Sequence, residues 1–227
     1  MALTEKLDVN TLYKTIKVST APAVLERISA NLSEIINGEY AESNRDDYQV
    51  STHKYPFNPE AYEKAKSAPN FRKEEWMCKM CMGRTLPLIG TIVDYQVPLK
   101  HNRKGCEGMG KVDLLSRDGD TAYLLELKVP DSTEPPLRAI MEIYTYWKQL
   151  GGNNSEHFLS HSAAKGAVQL KKAIVLFEQP APAIYGKLKE DSKALVNLME
   201  KLDVECFIAI LESDDSDKIV GIKPCKL

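Results

Sequence analysis

The chain has 227 residues, 43% of them hydrophobic and 27% charged, with a formal net charge of −2. That composition is ordinary for a globular protein and large enough for a substantial core. The balance of 30 basic against 32 acidic side chains excludes a protein that coats nucleic acid through bulk charge, and leaves room for an enzyme with a local basic groove. No run approaches the roughly 18 to 20 uninterrupted apolar residues of a membrane span, and MALTEKLD lacks the basic-then-apolar order of a signal peptide. Five cysteines, an odd number without a regular framework, fit a reducing compartment. The expectation is a cytoplasmic chain with no membrane partner.

Leu7, Val9, Leu12 and Ile16 recur at helical spacing, and residues 1–38 read as helical throughout. After Ser19-Thr20 as a cap, with Pro22 in the first turn, Val24, Leu25, Ile28, Leu32, Ile35 and Ile36 form an apolar stripe that Gly38 closes. Residues 39–70 turn to Ser, Asn, Asp, Pro and Tyr, which predicts a long irregular excursion with one short helix at 59–67. His53, Tyr55 and Phe57 within it have two readings, stacking on a base or pinning the loop. Helix returns over 71–82, and the run 91–99 is β-rich with Pro98 at its end. A basic, glycine-rich connection over 100–111, carrying Lys100, Arg103, Lys104 and Lys111, leads into a hairpin over 110–129.

A helix follows over 135–150, opened by Pro135-Pro136 and ended by Gly151-Gly152, with Leu137, Ile140, Met141, Tyr144 and Trp147 on one side. Residues 151–166 read as a polar loop. The run 172–177 is continuously apolar, as in a strand covered on both faces; 186–202 is an amphipathic helix, 204–211 a buried strand and 219–222 a short last strand. This order predicts an α/β fold with a central mixed β-sheet flanked by helices. It is expected to be a single domain over 1–227, with residues 1–70 as an N-terminal helical appendage and 71–227 as the core.

The hairpin carries three charges where a core strand should carry none: Asp113, Glu126 and Lys128. Asp118-Gly119 is a strong signal for a two-residue type I′ turn. With those two residues central, Arg117 faces Asp120, Leu114 faces Tyr123 and Asp113 faces Leu124. Residues i and i+2 share a face of a strand, so Asp113, Glu126 and Lys128 fall on one face. Asp113 and Glu126 become diagonal neighbours, roughly 7 to 8 Å apart at the backbone. Tyr123, Leu125, Leu127 and Val129 fall on the other face, which reads as core. Two adjacent carboxylates repel unless a cation lies between them. Oxygen-only donors favour Mg²⁺ or Mn²⁺, which keep positions open for water and a substrate phosphate, and a neighbouring ammonium offsets charge developing on phosphorus oxygens.

An Asp, a hairpin's worth of spacing and then Glu-x-Lys resembles the PD-(D/E)XK, or restriction-endonuclease-like, nuclease superfamily, over roughly residues 71–177. A second acid-x-Lys triplet, Asp191-Ser192-Lys193, lacks a facing acid on a hairpin. The resemblance implies a restriction-endonuclease-like core and a DNA nuclease. In it Asp113 and Glu126 bind Mg²⁺ or Mn²⁺, the Leu127 backbone carbonyl joins the metal shell, and Lys128 positions the attacking water. A helix before the first core strand commonly adds an acid, for which Glu74 and Glu75 qualify; Glu75 is the choice made here. Exonuclease members follow the lysine with a helix bearing Gln-x-x-x-Tyr. Here Glu142 and Tyr146 take those places, a departure at the first, and together with Arg138 and Lys104 they are the candidate substrate-binding residues. DNA is the expected partner, its strandedness and the choice of endo- or exonuclease action being left open.

Three other readings stand beside this one. The three charges would make a cross-strand salt bridge on an exposed sheet face; the fold would serve as a catalytically silent nucleic-acid-binding or protein-interaction module; or the cluster would be structural in an α/β protein of another kind. Cys78-x-x-Cys81 with His101 and Cys106 has the outline of a zinc site, against which two thiols three apart on a helix are usually packing residues. Arg138 and Glu142 also have the spacing of a simple helical ion pair.

Overall fold

Alternating apolar runs separated by turn residues produce one seven-stranded sheet whose strands lie in sequence order. The computed structural model describes residues 7–49, 56–100, 109–178 and 192–225. The strands are β1 (Thr85–Leu86), β2 (Gly90–Pro98), β3 (Lys111–Asp118), β4 (Thr121–Leu127), β5 (Gln169–Phe177), β6 (Glu205–Leu211) and β7 (Ile219–Pro224). Pairing is antiparallel except β4–β5 and β5–β6, which are parallel. Parallel neighbours need a crossover. The long helix between β4 and β5 and the helix before β6 occupy those two connections.

Described helices are α1 (Leu12–Thr15), α2 (Ala21–Ala30), α3 (Leu32–Asn37), α4 (Pro59–Lys66), α5 (Lys73–Cys81), α6 (Pro136–Gln149), α7 (Glu156–His161) and α8 (Ser192–Leu202). Helix α6 packs over β3, β4 and β5, and Trp147 Nε1 donates to the Leu170 carbonyl at 2.9 Å to tie it to β5. Its apolar side joins Leu12, Tyr13, Ile28, Ile35, Leu115, Leu124, Ile174, Leu198 and others in one core. Residues of the N-terminal segment are therefore part of the main packing. On the other sheet face Met77, Cys78 and Cys81 of α5 meet Tyr123, Leu125, Leu127, Val175 and Phe207. Covering both faces excludes the exposed-sheet reading of the hairpin charges.

The turn differs from the expectation by one position. Asp118 pairs with Thr121 and Leu114 with Leu125, so Gly119 and Asp120 are the central residues. Gly119 has φ +56° and Asp120 has no positive φ, the pattern of a II′ turn with glycine first. Every partner moves by two residues. Because side chains alternate with period two, an even shift leaves each on its expected face.

Two stretches fold differently from their sequence pattern. The 24–36 stripe is two helices, because Asn31 leaves helical φ/ψ and its side-chain amide donates to the Arg27 carbonyl at 2.8 Å. Among the described residues before it, only 12–15 is helical. The expected polar loop at 151–166 contains a 3₁₀ turn over Gly152–Asn154 and α7, whose Phe158 and Leu159 are buried against the main core. Elsewhere the irregular stretch carries the expected short helix α4, capped by Asn58 Oδ1 accepting from Ala61 N at 3.1 Å. Phe57 packs on Tyr62 and Trp76, so it pins the chain. No described helix is long and apolar enough to cross a membrane.

Candidate active site

The register of the central strands lines up one row of polar side chains on the face beneath α6. Tyr95 pairs with Leu114 and Val97 with Val112, which sets Gln96 of β2 across from Asp113 of β3. The β3–β4 ladder ends at Leu114–Leu125, and continuing its register by one residue sets Asp113 level with Glu126 of β4. The register thus sets the two acids level with one another, where a diagonal placement was expected. Lys128 follows β4, where its N–H donates to the Val175 carbonyl at 3.0 Å and keeps the alternation going.

Asp113, Glu126 and Lys128 are 4%, 3% and 5% exposed, respectively. Asp113 accepts from Gln96 Nε2 on Oδ1 at 2.7 Å and from the Leu127 N–H on Oδ2 at 3.0 Å. Lys128 Nζ lies 2.6 Å from Glu126 Oε1, 3.0 Å from Glu134 Oε2 and 3.6 Å from Glu142 Oε2. Tyr146 donates its hydroxyl to Glu142 Oε1 at 2.8 Å, and its oxygen lies 3.3 Å from that of Tyr13. Arg138 Nη1 is 3.2 Å from Glu134 Oε1, while its buried Nε has no hydrogen-bond partner.

Gln96, Asp113, Glu126, Lys128, Glu134, Arg138 and Glu142 line a cleft of about 590 Å³. Its wall carries six carboxylates, Glu74, Asp113, Glu126, Asp131, Glu134 and Glu142, against three cations, Lys111, Lys128 and Arg138. The surplus of negative charge shows in the ionisations. Burial pushes the Asp113 carboxyl well above the usual range, and the charge of Glu74 adds to it. Burial does the same to Glu126, with Asp113 adding. Glu74 is also raised by burial, against the pull of Lys128. Burial opposes the Lys128 charge, but Glu126, Glu142, Asp113 and Glu74 outweigh it and hold the amine above its ordinary value. Lys128 is therefore held in its ammonium form at neutral pH. Burial likewise raises the Tyr146 hydroxyl, which remains a donor.

Helix α5 turns Glu74 into the cleft, while Glu75 pairs with Arg72 at 2.7 Å and Lys79 at 3.3 Å outside it. Adjacent helical positions point about 100° apart, so only one of the two acids faces the site. Glu74 replaces Glu75 as the acid placed to reach a cation. Arg138 and Glu142 line the cleft as expected; Tyr146 joins them through Glu142. Leu127 meets Asp113 through its N–H, and its side chain is in the opposite core. Lys104, His53, Tyr55, His101, Arg103, Cys106 and Asp191 lie outside the described residues.

Cys78 and Cys81 are buried, and burial raises both thiols, Cys81 to about 12, as packing residues require. Lys171 pairs with Glu205, and Lys172 is buried with its amine 3.7 Å from the Trp147 ring centroid. Gln96, Glu134 and Tyr13 had no place in the sequence reading. Gln96 had a signal, a polar residue inside a run read as β-rich. Tyr13 had none, since its partner lies 133 residues away.

Gly110 enters the site by absence of a side chain. A Cβ there would sit 2.0 Å from the Tyr146 hydroxyl oxygen. Gly110→Ala is expected to displace Tyr146 and cost about 1–3 kcal/mol. The check is thermal unfolding, where a Tm equal to that of the unaltered protein would contradict the packing described.

Among the described residues, no three His, Cys, Asp or Glu side chains stand in a ready ligand arrangement. The donor set nevertheless fits a hard divalent cation. It is oxygen-only and in charge surplus, and each carboxylate oxygen of Asp113 keeps an acceptor position beyond its one hydrogen bond. Asp113 and Glu126 would hold the ion from the sheet and Glu74 from α5, with water completing the shell. Comparison of the chain with protein-family models, with curated proteins and with solved structures gave no match in any of the three.

Proposed function

We propose that this protein is a metal-dependent phosphodiesterase of the PD-(D/E)XK kind that hydrolyses DNA. The observation that carries the reading is the buried pair Asp113 and Glu126, each one residue past the last pairing of β3 with β4, with the Lys128 ammonium 2.6 Å from Glu126, at an open cleft. A structural ion pair has no use for a second buried acid that its lysine must also neutralise.

When bound, Mg²⁺ or Mn²⁺ supplies Lewis-acid charge and an activated water. Asp113, held by Gln96 and the Leu127 N–H, presents a fixed carboxylate. Lys128, permanently charged, orients the nucleophile and offsets charge on the nonbridging phosphate oxygens. Arg138 and Lys111 at the rim attract the phosphodiester backbone. Tyr146 fixes Glu142, which shares the lysine. Burial of the pair beneath α6 keeps these charges poorly screened and therefore effective.

A second reading, a nucleic-acid-binding module without cleavage, is favoured by one observation: among the described residues, no three acids are already gathered for a metal. Labelled single- and double-stranded DNA incubated with Mg²⁺ or Mn²⁺ separates the two. Cleavage is expected with either ion, and is expected to vanish with EDTA or in Asp113→Asn. Binding without cleavage in the presence of both ions would favour the module, and cleavage that survives both controls would overturn the mechanism.

A further inference from the structure

Gln96 has φ +49° in the middle of β2, a conformation that a residue with a Cβ rarely adopts within a strand. In a regular strand Tyr95 and Val97 would share a face. Here Tyr95 packs in the core under α5 and Val97 in the core under α6, and their β3 partners Leu114 and Val112 divide in the same way, so the change of side is shared by both strands at the level of Gln96 and Asp113. A one-residue register slip between Ile92 and Asp94 lies just upstream. Glycine is the residue that makes such a reversal without strain. Glutamine at this position has to be explained by its side chain.

That side chain is buried, lines the cleft and donates to Asp113 Oδ1 at 2.7 Å. Among the described residues it is the one side-chain donor on Asp113; the other donor is the Leu127 N–H. The two hold the carboxylate from opposite sides, one from β2 and one from β4. We infer that Gln96 is a positioning residue for Asp113, its left-handed backbone being retained because it aims the amide at the carboxylate that binds the cation. The inference rests on the metal-dependent reading above. Strain at a residue persists where the surrounding structure demands that geometry, and partners behind a metal ligand typically account for a 10- to 100-fold change in metal affinity.

The test is titration of the full chain and its variants with Mn²⁺ in the absence of DNA, followed by electron paramagnetic resonance of the free ion, with thermal unfolding in EDTA alongside. Gln96→Gly is expected to unfold at the same or a higher temperature in EDTA, because glycine relieves the backbone, and yet to bind Mn²⁺ about 10- to 100-fold more weakly. A residue that serves only to reverse the strand would give the first result without the second. Gln96→Glu keeps the length of the side chain and replaces the donor with a repelling carboxylate, so it is also expected to weaken Mn²⁺ binding. It decides the matter if the glycine variant fails to fold. Unchanged affinity in Gln96→Gly, or tighter binding in Gln96→Glu, which would make position 96 a ligand, overturns this inference alone. An unaltered protein that takes up no Mn²⁺ overturns it together with the metal-dependent reading.

Discussion

Lys128→Ala is expected to lower DNA cleavage in Mg²⁺ or Mn²⁺ by about 10²–10³-fold, the usual loss when one preorganised charge or donor is removed from a developing oxyanion. The lysine is buried with its ammonium within 3.6 Å of three carboxylates. Its removal therefore affects folding as well. Breaking a buried pair by deleting one partner costs about 3–5 kcal/mol when the remaining charge has no outlet. Here the outlet is protonation, since burial already raises Glu126 and Asp113. The destabilisation is expected to be small near pH 5 and to grow toward pH 8. Turnover of the folded variant, measured well below its Tm, separates catalysis from folding. Cleavage within tenfold of the unaltered protein would remove Lys128 from the mechanism. Lys128→Met, which fills the volume without the charge, is expected to lose the same activity with a smaller loss of Tm.

Without divalent ions, stability is expected to fall as pH rises above the ordinary carboxylate range. Asp113, Glu126 and Glu74 have folded-state values above their unfolded ones, so the native protein retains protons that the unfolded chain has released. Their contribution is fully present below about pH 4 and is lost as pH climbs through the raised values. Lys128 is raised as well, but its contribution stays constant until the solution approaches the amine's unfolded value of about 10.4. It therefore leaves the slope between pH 5 and 8 to the acids. A cation that binds the ionised carboxylates reverses this trend. Binding to the native state adds RT ln(1 + [L]/Kd), about 2.7 kcal/mol at a hundredfold excess over Kd, and this term grows with pH because the ligands must be deprotonated. The measured quantity is the difference in Tm between millimolar Mn²⁺ and EDTA, which is expected to widen from pH 5 to pH 8. Parallel curves would mean that the carboxylates hold no cation and that the cluster is structural.

Much of this site was legible because strand alternation survives small errors. The turn was placed one residue early, as type I′ over Asp118-Gly119, when Gly119-Asp120 is central. Moving the turn by one residue moves every pairing by two, so Asp113, Glu126 and Lys128 kept their common face. What changed was the register of the two acids, from diagonal to level with one another. The buried character of that face followed from the apolar runs at 172–177 and 204–211, which only a doubly covered sheet accommodates. Helical positions were less forgiving. A choice between Glu74 and Glu75 is a choice between directions about 100° apart, and which one faces the sheet depends on how α5 docks. The stripe through Ile28 and Ile35 was read as continuous because both residues are core. The break at Asn31 depends on one side-chain hydrogen bond that periodicity does not register.

The sequence by itself determined the α/β architecture, the mixed sheet with helices on both sides and the face shared by three charges, because these depend on periods of 2 and 3.6 that act locally. Tertiary structure alone decided which distant groups complete the site. Glu134 and Glu142 close on Lys128 only once α6 lies across the sheet, Tyr13 reaches Tyr146 from the far end of the chain, and Gln96 meets Asp113 through the register of β2 on β3. Contacts of that kind depend on docking and register between separate elements, and no local period encodes them.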